Sequence, residues 1–160
     1  MQEACKHAFQ ELEAAPIVYS APLTAPLFLC FNWNEVFEKY GFTDQTSSFH
    51  VVAFRSVRKR DTDENALTRI NNVALEEARK SGGLVRYWAG RPNAQRQCLE
   101  ASVWESRAAA ERAARRPAYA EAMKEAATLY ESYTLERYSI TATVDHLPAF
   151  KLIDTTSRYI

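Results

Sequence analysis

A chain of 160 residues, 47% of them hydrophobic and 25% charged, carries enough apolar material for one domain with a real core. Its 20 Lys and Arg balance 20 Asp and Glu, so no global field draws it to nucleic acid or to an acidic membrane surface. Three scattered cysteines (Cys5, Cys30, Cys98) argue against a disulfide framework and fit a reduced, cytoplasmic setting, while Cys5 and His7 form a lone C-x-H that is too little for a zinc site.

The opening residues place Ala4, Ala8, Phe9 and Leu12 on one face of a short helix; Glu3, Glu11 and Glu13, with no apolar h-region, argue against a signal peptide. "APIVYSAPLTAPLFLCF" (15–31) is uncharged but too short for a membrane span and is broken by Pro16, Pro22 and Pro26, so it reads as an extended arm lying on the domain. "NWNEVFEKYG" follows as a two-turn helix, with Asn34 as cap, Val36, Phe37 and Tyr40 on one face and Gly41 as stop. "FHVVAFRS" is rich in β-formers and apolar on both faces, as in a central strand. The cations Arg55, Arg58, Lys59 and Arg60 are offset by Asp61, Asp63 and Glu64 and read as a solvated loop. A helix with Leu67, Ile70, Val73/Ala74, Leu75 and Ala78 inward runs from that acidic cap to Gly82 and Gly83. "LVRYWAG" (84–90) and "QCLEASVWE" (97–105) are strands joined by the turn-rich "RPNAQR". Ser106 caps "RAAAERAAR", Pro117 restarts a helix, and Tyr119, Met123, Ala126/Ala127, Tyr130 and Tyr133 form its buried stripe. "LERYSITATV" (135–144) is the last strand, and the tail to Ile160 is extended or irregular.

The order β-α-β-β-α-β predicts an α+β, ferredoxin-like unit: a four-stranded antiparallel sheet with both helices on one face. The expected plan is an N-terminal helix and arm over 1–45, the sheet domain over 46–146 and a tail over 147–160. The second sheet face stays bare in this plan, and a second subunit is the economical cover, helped by the arm.

"LFLCFNWNEVFEKY", "FHVVAFRSVRK", "SGGLVRYWAG" and "VWESRAAAERAARRPAYAEAM" resemble an uncharacterised, mainly fungal protein family of the dimeric α/β-barrel superfamily. "VWESR" running into an alanine-rich helix is also similar to that superfamily's antibiotic-biosynthesis monooxygenase group. The resemblance implies a homodimer whose sheets face each other and enclose a pocket in each subunit. Superfamily members include cofactor-free monooxygenases, polyketide cyclases, isomerases and haem-binding enzymes, so the resemblance supplies no residue roles and does not choose a chemistry.

Strand alternation separates a helix-facing set from a pocket-facing one. Leu99, Ala101 and Val103, then Tyr138, Ile140 and Ala142, then Val85, Tyr87 and Ala89 suit the helices. The first strand is ambiguous; Ala53 fits a helix better than His50 does, which sends His50 to the pocket, although a one-residue slip inverts that choice. The pocket then holds His50, Arg86, Trp88, Glu100, Ser102, Trp104 and Arg137. Here His50 is the natural base, near Glu100 or an arginine of a neighbouring strand, and Glu100 orients it or acts itself. Arg86 or Arg137 holds an oxyanion, with Ser102 and the two tryptophans as substrate contacts. Each has a plainer reading, as core histidine, cross-sheet ion pair or packing aromatic. A His50 packed beneath a helix would mean an inverted strand phase and would remove the ground for its catalytic role.

The leading expectation is a cofactor-independent enzyme that abstracts a proton from a hydrophobic, enolisable or phenolic, polyketide-like molecule, of cyclase or isomerase type. A cofactor-free monooxygenase of the antibiotic-biosynthesis type, a haem- or ligand-binding module and a non-catalytic dimeric scaffold are the alternatives. No bound metal or cofactor, nucleic-acid partner or membrane partner is expected.

Overall fold

The computed structural model describes residues 2–42 and 48–159, without the side chain of Cys5, so the C-x-H reading lies outside the described residues. The N-terminal segment folds as α1 (Gln2–Phe9), α2 (Ile17–Ser20), α3 (Leu27–Cys30) and α4 (Trp33–Tyr40). Then come β1 (Ser48–Arg58), α5 (Glu64–Ser81), β2 (Leu84–Ala89), β3 (Gln97–Trp104), α6 (Arg107–Ala114), α7 (Pro117–Ala127), β4 (Tyr130–Ala142) and β5 (Pro148–Tyr159). Asp63 caps α5 by accepting from the Asn65 and Ala66 amides, and Ser106 caps α6 through the Ala109 amide, as their sequence positions suggest. Gly83 needs its missing side chain: it holds φ +82°, and an added Cβ would come within 2.5 Å of the Ala109 Cβ.

The sheet is antiparallel and five-stranded, in the order β2-β3-β1-β4-β5. The ferredoxin-like unit is therefore present, lengthened by a strand where the sequence reading had an extended or irregular tail. β5 pairs with β4 over almost its whole length; "AFKLIDTTSRY" has the β-branched and aromatic content to do so. Tyr130 and Tyr133, expected on a helix stripe, belong to β4 instead. They still reach the same layer, Tyr130 meeting Phe54 edge-to-face at 5.2 Å and Tyr133 tilted against it at 5.4 Å between ring centres.

The larger correction concerns the bare sheet face: the chain covers it itself. Phe49, Val51, Ala53, Val85, Leu99, Ala101, Val103, Ile140 and Ala142 form one buried cluster with Phe9, Leu12, Val18, Leu27, Phe31, Trp33, Phe37 and Phe42. Aromatic rings do most of the filling: Phe9 meets Phe49 at 4.9 Å, Phe31 meets Trp88 at 5.0 Å and Trp33 meets Phe150 at 5.4 Å. The arm is not extended, because its prolines precede two single helical turns, α2 and α3. Asn32 ties it down, accepting from the Glu13 amide at 2.6 Å and donating to the Glu11 carbonyl at 3.1 Å. Arg55, read from sequence as part of a solvated loop, is only 4% exposed. It points to the arm side, donating to the carbonyls of Pro22 (2.9 Å) and Ala25 (2.7 Å) and to Glu136 (2.7 Å).

The apolar strand sets thus face the arm, the reverse of the sequence expectation. The physical reason is volume. The arm offers large aromatics that fill space against Val, Leu and Ile, whereas α5, α6 and α7 present mainly alanines to the sheet.

Candidate active site: a cavity between the sheet and its helices

Alanines leave room. Ala74 and Ala78 of α5, Ala110 and Ala114 of α6, and Ala120, Ala126 and Ala127 of α7 roof a cavity of about 560 Å³ whose floor is the sheet. That volume lies within the range of small-molecule sites, roughly 300–1,000 Å³. The floor comprises His50, Val52 and Phe54 of β1, Glu100, Ser102 and Trp104 of β3, and Leu135 and Arg137 of β4. Five of the residues chosen from sequence therefore meet in one cavity (His50, Glu100, Ser102, Trp104, Arg137), but on the helix side.

Arg86 and Trp88 are not among its lining residues. A register shift between Leu84 and Arg86 pairs Arg86 with Val103 and Trp88 with Ala101, which turns both toward the arm. The same shift brings Tyr87 to the cavity. Strict alternation along "LVRYWA" could not reveal this, because a bulge offsets the phase by one.

One end of the cavity is charged. Arg137 donates to Asp154 at 2.8 Å and to the Thr156 hydroxyl at 3.2 Å; Arg107 donates to the other Asp154 oxygen at 3.2 Å and to Glu111 at 3.0 Å. Asp154 thus joins β5, β4 and α6 in one network, and its pairing with Arg137 and Arg107 holds its carboxyl below the ordinary range. Sequence reasoning missed Asp154 because it missed β5. The plainer sequence reading pairs Arg86 or Arg137 with Glu100; the carboxylate that Arg137 meets is Asp154.

His50 lies at this end, 3% exposed. Its Nε2 is buried and has no hydrogen-bond partner among the described residues. Burial, then the positive fields of Arg107 and Arg137, depress its pKa below 6.5, so the ring is neutral. The ring does face the helices, which by the sequence criterion would withdraw its catalytic role. The strand phase is inverted and that ground is gone; the separate ground for a chemical role is that His50 lines the cavity.

Glu100 sits elsewhere. Glu100 pairs with Phe54, four residues along β1 from His50, so the two backbones are separated by roughly 13 Å and Glu100 does not orient the imidazole. Tyr87 donates its hydroxyl to Glu100 at 2.6 Å. Burial raises the Glu100 pKa against the opposing pulls of Tyr87 and Arg58. Midway, Trp104 Nε1 donates to the Ser102 hydroxyl at 2.9 Å.

The His50 environment has a pH consequence. The unfolded chain takes up a proton near pH 6.5 that the native ring resists, so His50 subtracts stability progressively as pH falls below 6.5 and nothing above it. Thermal unfolding at pH 7 and pH 5 is expected to show a smaller acid loss in His50→Phe than in the parent. Equal losses in both proteins would contradict a depressed pKa.

The family model of the PB2B2.08-like proteins matches residues 2–153. The chain belongs to the PB2B2.08-like family. No curated protein matches it. Among solved structures, this family member is similar to a conserved protein from Methanosarcina mazei Go1: TM-score 0.51, 13% identity, over 59% of this chain and 94% of that one. It is also similar to SnoaB, a cofactor-independent oxygenase from Streptomyces nogalater: TM-score 0.46, 18% identity, over 59% and 92%. At 13% identity the likeness to the Methanosarcina mazei protein is one of fold alone. Among the described residues of this PB2B2.08-like protein, no helix is long and apolar enough to cross a membrane.

Proposed function

We propose that the protein is a cofactor-independent enzyme of cyclase or isomerase type that removes a proton from an enolisable or phenolic, polyketide-like molecule, with His50 as base. The observation that carries this reading is the neutral imidazole on the wall of a largely apolar cavity of ligand size, its Nε2 unclaimed by any described side chain. The substrate proton passes to the imidazole, and the resulting enolate or phenolate lies in the field of Arg107 and Arg137, the same field that disfavours a second positive charge on His50. Asp154 and Glu111 hold those guanidiniums in place. Trp104, Val52 and the alanine roof exclude water, which keeps the anion from simple reprotonation. Cys30 and Cys98 are buried free thiols, in keeping with action in the reducing cytoplasm.

The test is solvent exchange. Incubated in D₂O with 2-tetralone or anthrone, the protein is expected to accelerate deuterium uptake over buffer at the acidic CH₂ (C1 of the tetralone, C10 of anthrone), without consuming oxygen. Oxygen uptake coupled to substrate loss would move the reading to the monooxygenase type, and probes that bind without exchange would overturn it.

The expected homodimer needs a new contact, since the arm already covers the apolar sheet face. We infer pairing through the outer edge of β5, whose only sheet neighbour among the described residues is β4 and which exposes Leu152 (52%) and Ile153 (36%). Light scattering is expected to give the mass of two chains, falling to one when Leu152 and Ile153 are both changed to Lys; a monomeric parent protein would contradict the inference.

A further inference from the structure

The cavity has two polar stations and an apolar waist. His50 marks one end; Glu100 with Tyr87 marks the other, with Val52 and Ser102 paired midway between them. The β1 register sets the ends roughly 13 Å apart along the strand. We infer that the cavity takes its ligand lengthwise: a flat, uncharged aromatic, two to three fused rings long, whose end remote from the reacting carbon or phenol carries a hydrogen-bond acceptor such as a carbonyl, held by Glu100. This rests on the proposed base role of His50, which fixes the reacting end.

Glu100 is 8% exposed, and Tyr87 is the only described residue hydrogen-bonded to its carboxyl, through Oε1. A carboxyl so enclosed keeps its proton more readily than one in water, and burial does raise its pKa. Carrying its proton, the group would accept from Tyr87 on one oxygen and donate from the other to a ligand carbonyl. An anionic group at that end would crowd a buried acid, and the cation whose field reaches Glu100, Arg58, is already paired with Glu64, so a neutral acceptor suits this end better. At the waist Val52 lies on the sheet side, with Ala74 and Ala78 of α5 in the roof, and a flat ring system suits the space between.

Two fluorescent probes of equal shape test this: 6-acetyl-2-naphthol, with a carbonyl opposite its phenol, and 6-isopropyl-2-naphthol, which lacks one. Equilibrium titration is expected to show about five- to tenfold tighter binding of the acetyl compound, the size of one neutral buried hydrogen bond. Glu100→Gln, which keeps a donor, is expected to retain the preference and Glu100→Leu to abolish it. Because binding is read without turnover, His50→Phe is expected to keep the preference. Its survival there with no exchange activity in the parent protein would sink the base reading alone. Equal affinity of the parent protein for the two probes would overturn the lengthwise inference, whether or not Glu100→Leu folds. So would a preference unchanged in a folded Glu100→Leu protein.

Discussion

Deletion of residues 1–33 is expected to leave a chain that aggregates instead of folding. The deleted stretch supplies Phe9, Leu12, Val18, Leu27, Phe31 and Trp33 to the cluster that covers β1, β3 and β4 on the side away from the helices. Truncating Trp33 alone, 1% exposed, would cost about 3–5 kcal/mol as a buried aromatic. Losing the whole arm therefore exceeds the roughly 5–15 kcal/mol that keeps a domain folded. Arg55 adds to the effect, because deletion removes the Pro22 and Ala25 carbonyls that it donates to. Circular dichroism and light scattering on the truncated chain check this. A soluble protein with unchanged thermal unfolding would refute the packing role of the arm.

The second large effect is on catalysis. His50→Phe is expected to abolish α-proton exchange, a loss of about 10²–10⁴-fold for removal of a general base. The fold should persist, since Phe fills similar space and a swap of that kind in a packed site costs about 1 kcal/mol. The substitution also removes a buried nitrogen that lacks a partner, which offsets part of that cost. Exchange rates and unfolding curves on the same preparation separate the two effects. A folded His50→Phe protein with full exchange would refute the base assignment.

Much of the fold was legible in sequence because its signals are local. Asp63 and Ser106 announce helix starts, Gly82 and Gly83 a stop, and the β-rich "FHVVAFRS" a central strand. The co-facial grouping of His50, Glu100, Ser102, Trp104 and Arg137 also follows from alternation alone. Which layer each set meets was not legible, because that depends on volumes contributed by distant segments: aromatics from α1–α4 against alanines from α5–α7. Arg86 and Trp88 were misplaced by a bulge with no sequence signature, and Tyr87 was overlooked as a cavity residue for the same reason. Asp154 was lost with β5, although the β-branched Ile153, Thr155 and Thr156 were available to suggest a strand.

The ionisation of His50 itself is the measurement that tests the central claim most directly. NMR of the imidazole nitrogens across pH 4–8, with and without an aromatic ketone or phenol in the cavity, reads its charge and its contact with ligand together. The expected result is a ring that stays neutral down to a pKa below 6.5 and whose resonances move when ligand binds. A His50 that titrates at or above 6.5, or that does not respond to ligands which bind, would contradict a neutral base on the cavity wall.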